Sequence, residues 1–257
     1  MKTIHILSIG NSFSQDAQRY VHDLAKSEGV SIETVNLFIG GCPLELHYRN
    51  MLGDKRDYSL EINGHSSTGF TASIKEALLA KSWDYVTIQQ ASHFSYQEDS
   101  YQPYITELVK YIRTMCPKAK VLLHQTWGYE TGSQRCLDHG FQTYDEMFAE
   151  VKRCYAKAAE EVCADGIIPS GTALGNALQK GIAKVHRDTF HASLGVGRLI
   201  LAMTWYGYLT GNSIDTIRFT DLDESVTDEE FAPSTVRVIS LLKLFCFHVY
   251  QKGCISY

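Results

Sequence analysis

The chain has 257 residues, 44% hydrophobic and 21% charged, a globular composition long enough to bury a core without disulfides or metal. A net charge of −5 with no basic stripe argues against a nucleic-acid partner. Seven cysteines in an odd, unpaired spacing with no CxxC, and no apolar run of membrane-spanning length, suit a cytoplasmic protein with reduced thiols and no membrane partner.

Ile4–Ile9 is β-branched, ends at Gly10 and reads as a buried parallel strand, too short for the core of a signal peptide. Residues 16–28 predict a helix with Ala17, Tyr20, Val21, Leu24 and Ala25 on one stripe and Gly29 as its stop. A second strand, 31–38, runs into Gly40-Gly41. The pattern weakens over 43–70, which reads as an insert near the site, with an Asn63-Gly64 turn signal for a small hairpin. A helix over 71–81 leads to a third strand, 83–88, and then to Gln89-Gln90. Residues 101–115 are an amphipathic helix stopped by Cys116-Pro117. A fourth strand, Lys120–His124, runs into Gln125-Thr126-Trp127. A loop over 128–141 precedes a helix of about 142–164. Ile167-Ile168-Pro169 closes a fifth strand. Residues 194–210 form a helix with Val196, Leu199, Ile200, Met203 and Tyr206 on one face, and a final helix falls within 234–250 in a 212–257 extension.

Strands alternating with helices predict one α/β domain over 1–257 with a five-stranded parallel sheet. Ligands in such sheets bind beyond the carboxyl ends of the strands. Those ends carry Asn11-Ser12, Gly40-Gly41-Cys42, Gln89-Gln90, and Gln125 with Trp127. A serine becomes a nucleophile when a histidine takes its proton and a third group orients that histidine. Ser12 sits where a strand gives way to a helix, so either it is that nucleophile or Ser12 or Ser14 caps the helix. The leading partner is His191, with Asp188 three residues before it and Ser193 as N-cap of the next helix; His186 and His124 are rivals. Cys42 reads as a small buried residue. Trp127, Tyr129 and Tyr96 follow strand ends and offer either loop packing or faces for a sugar ring.

"IGNSFS" after the first strand, the Gly pair after the second and D-x-x-H before a C-terminal helix together resemble the SGNH (GDSL-type) hydrolase superfamily. The likeness is to a bacterial branch with G-N-S-F-S in place of G-D-S. "GGCPLELH", "WDYVTIQQAS", "QTWGY" and "HASLGVGRLILAMTWYGYLTG" extend the resemblance over about 4–211. It implies a flavodoxin-like three-layer α/β/α sandwich and ester hydrolysis through an acyl-enzyme, with no cofactor. Ser12 matches the nucleophile, His191 the base and Asp188 its orienting acid. The oxyanion donors implied are the Ser12 N–H, the Gly41 N–H and an Asn side chain. That Asn is missing here, and Gln89 or Gln90 stands in its place with the same N–H donor on a longer arm. Asn11, Gly40, Gln125 and Trp127 are the expected substrate contacts. The substrate class that follows is a small or carbohydrate-linked ester, such as an O-acetyl group. An acyltransferase, or a non-catalytic carbohydrate or small-ligand binder on the same fold, are the alternatives; the retained Ser12, Asp188 and His191 favour the esterase.

Overall fold

The computed structural model of the protein describes residues 2–215 and 217–223. Strand β1 (Ile4–Gly10) is buried from Ile6 onward and is central to the sheet. It leads into two short helices, α1 (Ser12–Gln18) and α2 (Val21–Ser27), where the sequence pattern suggested a single helix over 16–28. Tyr20 leaves helical geometry between them, at φ −114° and ψ 1°, and its hydroxyl donates to Leu194 O at 2.8 Å. The expected apolar stripe survives the break: all five of its residues are buried.

Strand β2 (Ile32–Phe38) pairs parallel with β1, and α3 (Leu44–Leu52) follows it. The weakly patterned segment then forms a hairpin, β3 (Tyr58–Ile62) and β4 (His65–Ala72), which joins the sheet antiparallel to β2. Asn63 and Gly64 turn it with φ of 53° and 78°, the paired positive values of a tight hairpin turn. Only glycine fits at 64, because a Cβ there would lie 2.3 Å from Arg19 O. Next come α4 (Ile74–Leu79), opened by a Ser73–Glu76 capping box, then β5 (Tyr85–Ile88), α5 (Tyr104–Met115) and β6 (Lys120–His124). The expected loop 128–141 contains a short helix, α6 (Gln134–Asp138). Helix α7 (Tyr144–Glu161) starts at a Thr143–Glu146 capping box and leads to β7 (Gly166–Ile168).

Helix α8 (Ser170–Gln179) has no clear signal in the sequence, since Gly171 and Gly175 weaken its helix propensity. Those glycines instead allow close packing: a Cβ on Gly171 would meet Thr126 O at 2.2 Å, and one on Gly175 would meet Tyr144 at 3.0 Å. Helix α9 (Val196–Thr210) is buried on nearly every side and stops at Gly211, whose φ is 74°. Its N-cap is Gly195, two residues beyond the expected Ser193, whose Oγ still accepts from Gly197 N at 2.8 Å in the first turn.

The sheet order is β4-β3-β2-β1-β5-β6-β7. Its five parallel strands are the five read from the sequence, and the hairpin widens the sheet to seven. Helices α1, α2, α8 and α9 pack together, as do α3, α4 and α5, giving the α/β/α layering that buries a parallel sheet on both faces. Cys42, Cys116, Cys136, Cys154 and Cys163 are free thiols. Among the described residues no helix is long and apolar enough to cross a membrane. The helix expected within 234–250, with Cys246 and Cys254, lies outside the described residues.

Candidate active site

The carboxyl ends of β1 and β2, the segment after β5 and the loop before α9 meet around a cavity of about 270 Å³. Gly10 is where the chain turns: a Cβ there would lie 2.2 Å from Ser14 Oγ. Asn11 is the N-cap of α1, its Oδ1 accepting from Phe13 N at 3.0 Å. Capping therefore falls to neither Ser12 nor Ser14. Ser14 Oγ, fully buried, lies 2.8 Å from both Asn11 O and Asn36 Oδ1 and braces the turn from below. Ser12 is the first residue of α1 and lines the cavity.

Ser12 Oγ lies 2.8 Å from His191 Nε2, and His191 Nδ1 lies 2.7 Å from Asp188 Oδ2. Asp188 Oδ1 also accepts from His191 N at 2.9 Å, so one carboxylate fixes both the ring and the backbone of the histidine. Burial works against the Asp188 charge. The hydrogen bonds from the His191 side chain and backbone outweigh it and hold the carboxyl below its ordinary range. The Nδ1–carboxylate contact selects the tautomer that leaves Nε2 as an acceptor toward Ser12 Oγ.

Buried Asp16, one helical turn beyond Ser12 on α1, ties down this loop. Its Oδ1 accepts from Arg187 Nη1 and Arg198 Nε, each at 2.9 Å, and its Oδ2 from Ala192 N at 3.0 Å. Arg187 Nη1 also donates to Ala192 O. Nothing in the sequence singled out Asp16 for this role; its link to Arg187 spans 171 residues.

Gly41, at φ 63°, and Gly40 line the cavity opposite Ser12, and among the described residues nothing accepts from the Gly41 N–H. The rival histidines are committed elsewhere. His124 lies between Gln89 Oε1 (2.6 Å) and Ser170 Oγ (3.0 Å), and burial pushes it down to about 3. His186 contacts Gly128 O at 3.0 Å, and burial pushes it down to about 4. Burial pushes the Cys42 thiol up to about 12 despite its contact with His47, so it stays protonated.

Several expected contacts need correction. Gln89 and Gln90 are both buried and neither lines the cavity. Gln89 Nε2 donates to Asn11 Oδ1 at 2.7 Å. Gln90 Nε2 donates to Ser100 O at 2.8 Å, while its Oε1 accepts from Leu44 N and Ala91 N. Their amides thus lock the ends of the strands together and are not offered to a ligand. Gln125 does not line the cavity either: its Oε1 accepts from Thr172 N and Oγ1 in the first turn of α8. Trp127 is fully buried, stacked on Phe13 at 4.1 Å and donating to Phe190 O at 2.8 Å. Asn11 borders the cavity, but its amide is engaged by Phe13, Gln89 and Cys42 O. Tyr96 turns to His139 Nδ1 at 2.9 Å; of the three expected aromatics only Tyr129 reaches the cavity wall. Ser92, His93, Arg135 and Phe190 line it without having been expected there.

Residues 5–232 match the family described as a domain of unknown function, DUF4886. A DUF4886 family protein of known structure from Bacteroides uniformis ATCC 8492 is 31% identical, with a TM-score of 0.86 over 99% of this chain and 98% of that one. The chain belongs to the DUF4886 family. More distant structures show the wider fold. One is a Slackia heliotrinireducens protein assigned to the SGNH hydrolases, 21% identical with a TM-score of 0.59 over 81% of this chain and 100% of that one. Another is the psychrotrophic esterase EstA from a Pseudoalteromonas species, 16% identical with a TM-score of 0.51 over 80% of this chain and 97% of that one. This DUF4886 chain therefore carries the α/β/α fold of the SGNH/GDSL hydrolases. No curated protein matches the sequence.

Proposed function

We propose that the protein is a serine esterase acting on a small ester through an acyl-enzyme on Ser12. The observation that carries this reading is the unbroken chain Ser12 Oγ–His191 Nε2–Asp188, at 2.8 and 2.7 Å, at the wall of a cavity. In the first step Ser12 Oγ attacks the ester carbonyl and its proton passes to His191 Nε2. The tetrahedral intermediate collapses as that proton moves to the departing alkoxide, which leaves as the alcohol. Water, deprotonated by the same nitrogen, then attacks the acyl-serine; the acid is released and Ser12 regains its proton. Asp188 holds the imidazole and balances the charge it gains.

The oxyanion faces two backbone donors. One is the Ser12 N–H, in a helix turn whose N–H groups lack intrahelical acceptors, and the other is the Gly41 N–H. A third donor from Gln89 or Gln90 is withdrawn, since both amides are bound within the protein. Trp127 and Tyr96 are turned away and, of the three expected aromatics, Tyr129 alone lines the cavity; its volume of about 270 Å³ favours a short acyl group.

Incubation with a fluorophosphonate ester followed by peptide mass spectrometry tests this reading. Labelling of Ser12 that vanishes in His191→Ala, together with turnover of p-nitrophenyl acetate, is expected. A folded protein that neither labels at Ser12 nor turns over any short-chain ester overturns it.

A further inference from the structure

The wall of the Ser12 cavity carries a cation whose role the triad does not explain. Among the described residues lining it, Arg135 is the one Arg or Lys, and no Asp or Glu lines it. The Arg135 guanidinium lies 3.9 Å from the centre of the Phe190 ring and 5.8 Å from that of Tyr129. Two aromatic faces thus border this exposed side chain, and they remove part of the entropy of fixing it before any ligand arrives. Phe190 in turn lies against the His191 ring, with centres 3.8 Å apart, which puts the cation one ring away from the reacting atoms.

Arginines at protein surfaces commonly pair with a neighbouring carboxylate. Here, among the described residues, no carboxylate stands within ion-pair distance of Arg135, although Asp138 is on the same short helix; Asp138 accepts from Gln134 at 2.7 Å. His93, also in the wall, does not compete for an anion. Burial first, then the nearby His139 and Arg135, hold its imidazole below the usual range and keep it neutral at pH 7. The cavity therefore combines an apolar lining, a nucleophile and a guanidinium whose planar fork matches a carboxylate.

We infer that the site is selective for esters that carry a carboxylate, bound by Arg135 beside the scissile carbonyl. This rests on the esterase reading above. The carboxylate belongs either to the acyl part, as in a dicarboxylic half-ester, or to the alcohol part, as in an acylated hydroxy acid, and the two sources separate experimentally.

Two matched pairs of probes read the preference as a ratio of kcat/KM. On the acyl side, p-nitrophenyl hydrogen glutarate is set against its methyl ester; on the alcohol side, p-acetoxybenzoate is set against methyl p-acetoxybenzoate. A charge-assisted pair predicts a preference of about ten- to a hundred-fold for the anion in one of the two pairs. Arg135→Gln brings that ratio close to one, and Arg135→Lys, which keeps the charge but not the fork, retains part of it. A wild type that favours the neutral ester in both pairs, or a preference that survives Arg135→Gln, overturns the assignment. Calorimetric titration of Ser12→Ala with glutarate and p-acetoxybenzoate separates this from the esterase reading. Arg135-dependent binding without turnover by the wild type would sink the esterase and keep the anion site; turnover without any anion preference does the reverse.

Discussion

Replacing Asp16 with asparagine keeps the volume of the side chain and removes its charge. In the wild type its carboxylate is wholly buried and takes hydrogen bonds from Arg187, Arg198 and Ala192 N at 2.9 to 3.0 Å. An amide supplies one oxygen where these three donors need two, so a donor ends up facing an NH2 group. Removing one partner of a buried ion pair costs about 3–5 kcal/mol. Arg198 keeps its contact with Asp223 at 3.3 Å and the Arg187 side chain is 25% exposed, so the low end, about 3 kcal/mol, applies here. At roughly 2–4 °C per kcal/mol for a chain of this size, Asp16→Asn lowers Tm by about 6–12 °C. The freed loop is the one that carries His191, and a displacement of about 1 Å at a reacting group costs on the order of a hundred-fold in rate. Thermal unfolding followed by circular dichroism, with p-nitrophenyl acetate turnover at 20 °C below Tm, measures both effects. A Tm within about 2 °C of wild type together with an unchanged kcat would refute the claim that Asp16 anchors the loop.

Acid should unfold the protein earlier than its carboxylates alone predict. His47 and His124 are held near 3 and His186 near 4 by burial, against about 6.5 when unfolded. Because the folded values are depressed, this stability is complete above about pH 6.5 and is lost as pH falls toward the folded values. Near pH 5 unfolding takes up close to three protons, a slope of about 4 kcal/mol per pH unit; urea titrations between about pH 4.5 and 5.5 that give a slope of one proton or less would contradict it. Gln89→Met is expected to cost about 1–3 kcal/mol by stranding the buried His124 and Asn11, and to change kcat by less than ten-fold. A loss on the scale of an oxyanion donor, about 10²–10³ in kcat without loss of fold, would restore Gln89 to the reaction.

Much of the parallel sheet and the Ser12–His191–Asp188 constellation can be read from the chain, for reasons that are local. Buried parallel strands are short β-branched runs, and their carboxyl ends show as glycine and amide residues. Asp188 and His191 are three residues apart, so a single turn joins them. What stayed hidden depends on distant partners. The glycines of α8 look like helix breakers until the backbone of Thr126 and the ring of Tyr144 are beside them. Gln89 and Gln90 have the right chemistry for an oxyanion donor, and only the positions of Asn11 and Ser100 show that their amides are already occupied. Arg135 lies in a stretch that reads as polar loop, where one exposed arginine looks like another until Phe190, from far along the chain, comes under it.

Helix α1 begins with Ser12, and a turn later its Asp16 grips both ends of the 187–192 segment. The attacking oxygen and the fastening of the proton acceptor thus ride on one rigid body of seven residues. Asn11, which caps the same helix, donates to Cys42 O beside Gly41 at 3.1 Å, so the turn after β2 is fastened to α1 as well. Nucleophile, proton acceptor and the Gly41 turn are all moored to one short helix, so a substitution that dislodges α1 is expected to disturb the three together.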